Sequence, residues 1–92
     1  MFRPKPQWTE PKALGDLCLE YLTEVPEELA GFMSVTGYTP AALRAALDSS
    51  NLTHAVIDYV ASNEPLLLTI CARRGITPEQ FMGVWAKLNP AG

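Results

Sequence analysis

Apolar residues recur along this chain every three or four positions, the spacing that places them on one face of an α-helix. The clearest stripe comprises Leu14, Leu17, Cys18, Tyr21, Leu22 and Val25. No stretch of useful length alternates apolar and polar residues with the period of two expected of a half-buried strand. The pattern therefore predicts an all-α chain.

Prolines, glycines and threonines divide the apolar stripes into about six short helices. Three prolines stand where a first helical turn would begin and a missing N–H costs no hydrogen bond: Pro11, Pro26 and Pro65. Two further starts combine a capping threonine with a proline, at Thr39-Pro40 and Thr77-Pro78. Glycines suited to the left-handed conformation that ends a helix precede these starts, at Gly37 and Gly75. These signals predict a bundle of about six short helices.

A shift of 38 residues, the distance from Gly37 to Gly75, lays one half of the sequence on the other. Tyr21 then falls on Tyr59, and most apolar positions keep their places. Each predicted unit, residues 13–48 and 51–88, is a helix–helix–turn–helix too small to bury its own apolar face. We expect two pseudo-repeated three-helix halves that pack through the second and fifth helices. Coincidence between two Thr-Pro helix starts is the alternative.

Residues 1–10 carry prolines and no apolar run, which predicts a flexible N-terminal arm before a single helical domain over residues 11–92. The longest apolar stretch, residues 66–72, is far shorter than the ~18 residues that span a bilayer. A cytoplasmic location is therefore expected. Seven Lys and Arg against ten Asp and Glu give a net charge of −3, which opposes nucleic-acid binding because that affinity depends on clustered cations.

The sequence contains no recognisable catalytic, cofactor or metal signature. His54 is the only histidine, whereas a zinc site needs three or four ligands at suitable spacing. His54 and Asp58 stand four residues apart and could pair on one helix face. Cys18 and Cys71 lie among apolar neighbours, which indicates reduced core thiols, with a redox role as the alternative. We predict no enzyme, no cofactor and no metal site.

Leu19 and Ile57 lie off the main apolar stripes of their helices, yet the repeat keeps both positions apolar. Either these helices are buried on two faces or they present apolar spots to a partner. With the second interpretation, the candidate interaction surface comprises Leu19, Ile57, Tyr21, Tyr59 and Trp85. The partner would be an unknown protein or a second copy in a homodimer.

The turn before the last helix suggests a second candidate function, DNA binding. Arg73, Arg74 and Gly75 precede that helix as in a helix-turn-helix, and the last helix would read DNA. Its outer face carries Glu79 and a single cation, Lys87, which is poor for the major groove. We therefore favour a non-enzymatic protein–protein interaction or homo-oligomerisation module. A small DNA-binding or regulatory protein of helix-turn-helix type is the alternative.

Two segments resemble a known family. They are residues 28–33 (ELAGFM) leading to Gly37-Tyr38-Thr39-Pro40, and residues 55–60 (AVIDYV) leading to Leu66-Leu67-Leu68. They are similar to the short, acidic alphaproteobacterial proteins grouped as domain of unknown function 3572. The resemblance covers residues 13–88 and implies a bacterial cytoplasmic protein. It implies no activity and no functional residues.

Overall fold

The computed structural model describes residues 10–90, which form six α-helices and no strand. The helices are α1 (Pro11–Glu24), α2 (Pro26–Thr36), α3 (Pro40–Ala46), α4 (Ser50–Ala61), α5 (Glu64–Arg74) and α6 (Pro78–Leu88). The predicted all-α class and the number of helices are confirmed. The predicted N-terminal arm lies outside the described residues except for Glu10, as do the last two residues of the predicted domain.

The helix ends follow the predicted local chemistry. Thr77 Oγ1 accepts a hydrogen bond from the Gln80 N–H at 3.0 Å, and Gln80 Oε1 accepts one from the Thr77 N–H at 2.9 Å. This reciprocal pair satisfies two donors at the start of α6. Gly37 and Gly75 end α2 and α5 with φ of 84° and 70°, a region where a Cβ would be strained.

The core is centred on α1 and α4, the pair of helices that pack most extensively. Leu14, Cys18 and Leu22 on α1 are fully buried, as are Val56 and Val60 on α4. The predicted contact between α2 and α5 is not among the extensive ones, so that prediction is wrong. The apolar stripes of α1 and α4 face each other instead.

A glycine allows α1 and α4 to approach closely. A Cβ added at Gly15 would lie 3.0 Å from Thr53 Cγ2 and 3.4 Å from Thr53 Cα. The first distance is shorter than ordinary van der Waals contact. The absent side chain at Gly15 therefore sets the spacing of the central helix pair.

The boundaries of α2 and α5 agree with the predicted shift of 38 residues, because both helices contain 11 residues and begin at positions 26 and 64. The third helix of each predicted half differs in length, because α3 has 7 residues and α6 has 11. The duplication itself stays a prediction. The shorter α3 packs extensively only against α4, whereas α6 packs against α1, α4 and α5.

Within residues 10–90, no single helix is long and apolar enough to cross a membrane. By length and composition alone, α4 and α5 pass that test as a pair, but the chain bends by 106° between them. Both helices contribute fully buried residues to the core, Val56 and Ile70 among them.

Candidate functional site: an apolar groove beside α3

An apolar groove of about 320 Å³ opens on the surface where α1, α2 and α3 meet. It is lined by Leu19, Thr23, Leu29, Met33, Pro40, Leu43, Arg44 and Leu47, and we call this set the α3 groove. Its volume lies at the lower end of the range for pockets that hold small ligands or anchoring side chains.

The groove exists because α3 is short and packs mainly against α4. Leu43 is the only buried residue of α3, and Leu47, just after the helix, is 51% exposed. Leu19, Leu29 and Met33 touch the core from α1 and α2 but remain partly open to solvent. The end of α3 at Ala46 therefore leaves apolar surface uncovered.

The same positions in the second half of the chain are covered. In the 38-residue register, Leu19, Leu29 and Met33 correspond to Ile57, Leu67 and Cys71, all of which are buried. The longer α6 has aromatic side chains, Phe81 and Trp85, where the first half has Leu43 and Leu47. The first half thus has smaller side chains at these two positions.

Among residues 10–90, Arg44 is the only charged residue that lines the groove. It is exposed and forms no ion pair with any residue between positions 10 and 90. The other polar lining group, Thr23, donates its hydroxyl to the Glu20 carbonyl at 2.8 Å. The Arg44 guanidinium is therefore the group able to orient an occupant.

Of the five residues predicted as an interaction surface, only Leu19 lines the groove. Ile57 is 0% exposed and Tyr21 is buried, so the folded chain presents neither to a partner. Tyr59 is partly buried, with its ring edge against Phe32 at 5.3 Å between centroids. Trp85 is partly buried and donates its Nε1–H to Asp58 Oδ1 at 3.0 Å. The five do not form one surface.

Most of the α3 groove was not predicted from the sequence. Seven of its lining residues lie outside the predicted interaction surface: Thr23, Leu29, Met33, Pro40, Leu43, Arg44 and Leu47. A usable signal was present: the apolar pair Leu43 and Leu47 is followed at once by the polar break Asp48-Ser49-Ser50. That break limits α3 to about two turns, which is too short to cover two neighbouring helices.

The predicted His54–Asp58 pair is not formed. His54 Nε2 lies 3.3 Å from Asn89 Oδ1, while Asp58 accepts the hydrogen bond from Trp85. Both α4 residues thus contact the C-terminal end of α6 and its cap. Across the described residues, no group of three or more His, Cys, Asp or Glu side chains could hold a metal ion.

The two arginines of the predicted helix-turn-helix contact α1. Arg74 Nη2 lies 3.0 Å from Glu20 Oε1 and 3.6 Å from Glu24 Oε2. Arg73 Cζ lies 5.8 Å from the centroid of the Tyr21 ring, a cation–π geometry. These contacts attach the end of α5 to α1 and engage both cations within the protein.

A comparison with protein families matches residues 9–91 to the family described as protein of unknown function (DUF3572). The chain belongs to the DUF3572 family. The resemblance seen in the sequence is thereby confirmed over nearly the whole chain. No curated protein and no solved structure matches it. The description of the DUF3572 family specifies no activity.

Proposed function

We propose that this chain is a non-enzymatic protein-interaction module that binds an apolar helical segment of a partner protein in the α3 groove. The observation that carries the proposal is an open apolar groove between three helices, in which Arg44 is the one cation that the described residues contribute to the lining. Grooves of this kind bind amphipathic helices through apolar side chains at positions i, i+3 or i+4, and i+7.

Arg44 specifies the polar part of the partner. An arginine beside an apolar surface favours a carboxylate, which it can bind through two parallel hydrogen bonds. The expected partner segment therefore carries an Asp or Glu next to its apolar stripe. A basic segment would be repelled at this position.

The proposal places the module in the bacterial cytoplasm. Two buried free cysteines, Cys18 and Cys71, suit a reducing compartment. The bacterial origin comes from the family resemblance.

The test is selection of helix-forming peptides of about 15 residues from a displayed library against the full chain. We expect the selected peptides to share an apolar stripe and a carboxylate. Leu47→Glu and Arg44→Glu should each weaken binding by about tenfold or more, equivalent to ~1.4 kcal/mol. Val35→Glu is the matched control, because Val35 is an exposed apolar residue on α2 that does not line the groove.

A charge exchange makes the test specific. Replacing the peptide carboxylate with lysine should restore binding to the Arg44→Glu chain and weaken binding to the original one. Equal binding by Leu47→Glu and Val35→Glu would contradict the groove as the site. A dimer dissociated by Leu47→Glu would identify a second copy as the occupant, and salt-dependent binding of duplex DNA would favour the alternative function.

A further inference from the structure

We propose that the α3 groove is covered by α3 of a second copy of this chain, in a dimer with two-fold symmetry. The two α3 helices run antiparallel, and each copy covers the groove of the other. This inference rests on the proposed function for the site and deepens it by naming the partner. The apolar helical segment with a carboxylate beside it is α3 of the chain itself.

The solvent side of α3 suits close contact with another helix. Among the six helices, α3 packs extensively only against α4, and its other side carries the exposed residues Ala41, Ala42 and Ala45. Such short side chains allow two helix axes to approach to about 8 Å. Leu47, which lines the groove and is half exposed, lies at the end of this surface. A second copy of the same surface would cover the alanines and the leucine together.

The charges at the end of α3 are complementary to each other when two copies run antiparallel. Arg44 lies four residues before Asp48, and both side chains are exposed. A two-fold axis at Ala46 places Arg44 of each copy opposite Asp48 of the other, which gives two identical ion pairs. Leu47, next to the axis, then meets its counterpart over the openings of both grooves. A parallel arrangement would instead place the two Arg44 side chains together, so charge favours the antiparallel one.

Both charges are available for these pairs. Arg44 has no ion-pair partner between positions 10 and 90. Asp48 contacts Lys12 at 3.7 Å, but Lys12 makes its shorter contact, 2.9 Å, with Asp16. The Asp48 side chain remains fully exposed, and a carboxylate accepts more than one donor. Asp48 can therefore keep its contact with Lys12 and also bind Arg44 of the second copy.

Charge exchange at positions 44 and 48 tests this dimer in the full chain. Sedimentation equilibrium over a range of chain concentrations should show self-association of the original chain. Arg44→Asp places two carboxylates opposite each other, and Asp48→Arg places two guanidinium groups there. Each variant should therefore self-associate about tenfold more weakly or worse. An equimolar mixture of the two variants should regain the original association, because every pair again joins opposite charges.

Val35→Glu is the matched control, because Val35 is an exposed apolar residue outside the groove. It should leave self-association unchanged, whereas Leu47→Glu should weaken it. A dimer that survives Leu47→Glu would use another face and overturns the inference. Variants that keep their helicity by circular dichroism, dissociate singly and fail to associate when mixed overturn it too, because the antiparallel pairs would not exist.

Failure of this inference is distinguishable from failure of the proposed function. A chain that is monomeric at every concentration overturns the inference, and peptide selection against that monomer still tests the groove. A dimer that follows the charge exchange supports the inference. Selected peptides that bind this dimer without dissociating it would occupy another surface, which contradicts the α3 groove as the peptide site.

Discussion

Cys18 illustrates, at the scale of a single residue, how completely the core excludes water. Its side chain is fully buried on α1. Burial, the largest cause, raises the pKa of the thiol from its ordinary value of 9.0 to about 12; the nearby Cys71 adds to the rise and Arg74 opposes it. The thiol therefore stays protonated at neutral pH, and a protonated, enclosed thiol is a poor nucleophile.

This pKa predicts how stability changes in alkaline solution. Below pH 9 both the folded and the unfolded chain keep the Cys18 proton, so the group gives no pH dependence. Between about pH 9 and 12 only the unfolded chain releases it, and the free energy of unfolding should fall by about 1.4 kcal/mol per pH unit from this group. Urea denaturation of the original chain and Cys18→Ala across this range measures the difference. Equal slopes would contradict the prediction.

The sequence could not reveal how exposed to solvent Leu19 and Ile57 are in the folded chain. Both are apolar and occupy the same position in the 38-residue register, yet Ile57 is enclosed and Leu19 lines the groove. The difference arises from which helices cover each residue. Periodicity within one helix carries no information on the length of the helix that covers it, so the sequence could not distinguish the enclosed Ile57 from the groove-lining Leu19.

Helices were the most predictable level of this structure. Helix starts depend on interactions between residues close in sequence, such as the Thr77–Gln80 capping box. These interactions can be recognised in a short stretch of sequence. Helix packing depends on close approaches between distant residues. The contact of Gly15 with Thr53 joins positions that lie in different halves of the chain, and no local pattern indicates it.

Substitutions at two glycines should separate helix propensity from helix packing. Gly83→Ala in α6 meets nothing within 4 Å, so it should raise the free energy of unfolding by about 0.5–1 kcal/mol. Gly15→Ala gains the same propensity but crowds Thr53, at a cost of about 1–3 kcal/mol. We expect Gly15→Ala to be less stable than the original chain and Gly15→Val less stable still. Chemical denaturation of the three variants checks this, and stabilisation by Gly15→Ala would show that α1 and α4 are not closely packed there.

The whole molecule depends on a contact between its two halves. The paired faces of α1 and α4 supply much of the core, and each half alone would expose one of them. The all-α class and the number of helices follow from sequence periodicity, whereas the α1–α4 pairing does not. The sequence pointed to α2 and α5 because it shows which faces are apolar, but not which two faces meet.

Cutting the chain between Asp48 and Ser49, in the turn between α3 and α4, tests this dependence. Residues 1–48 and 49–92, prepared separately, should each show little helix by circular dichroism, because short helices without packing partners are marginal in water. Mixing them in equal amounts should restore helicity and cooperative melting. Cooperative melting by either fragment alone would mean that a half can bury its own apolar face.

The α1–α4 pairing also has a consequence for synthesis on the ribosome. The last residue of α1 is Glu24 and the last residue of α4 is Ala61, so the main packing partner of α1 is finished 37 residues later. At ordinary translation rates of about 5–20 residues per second, this delay is roughly 2–7 s. During that interval the nascent α1 displays Leu14, Cys18 and Leu22 without the surface that encloses them. The emerging first half therefore carries exposed apolar surface, the feature that makes a partly synthesised chain prone to aggregation.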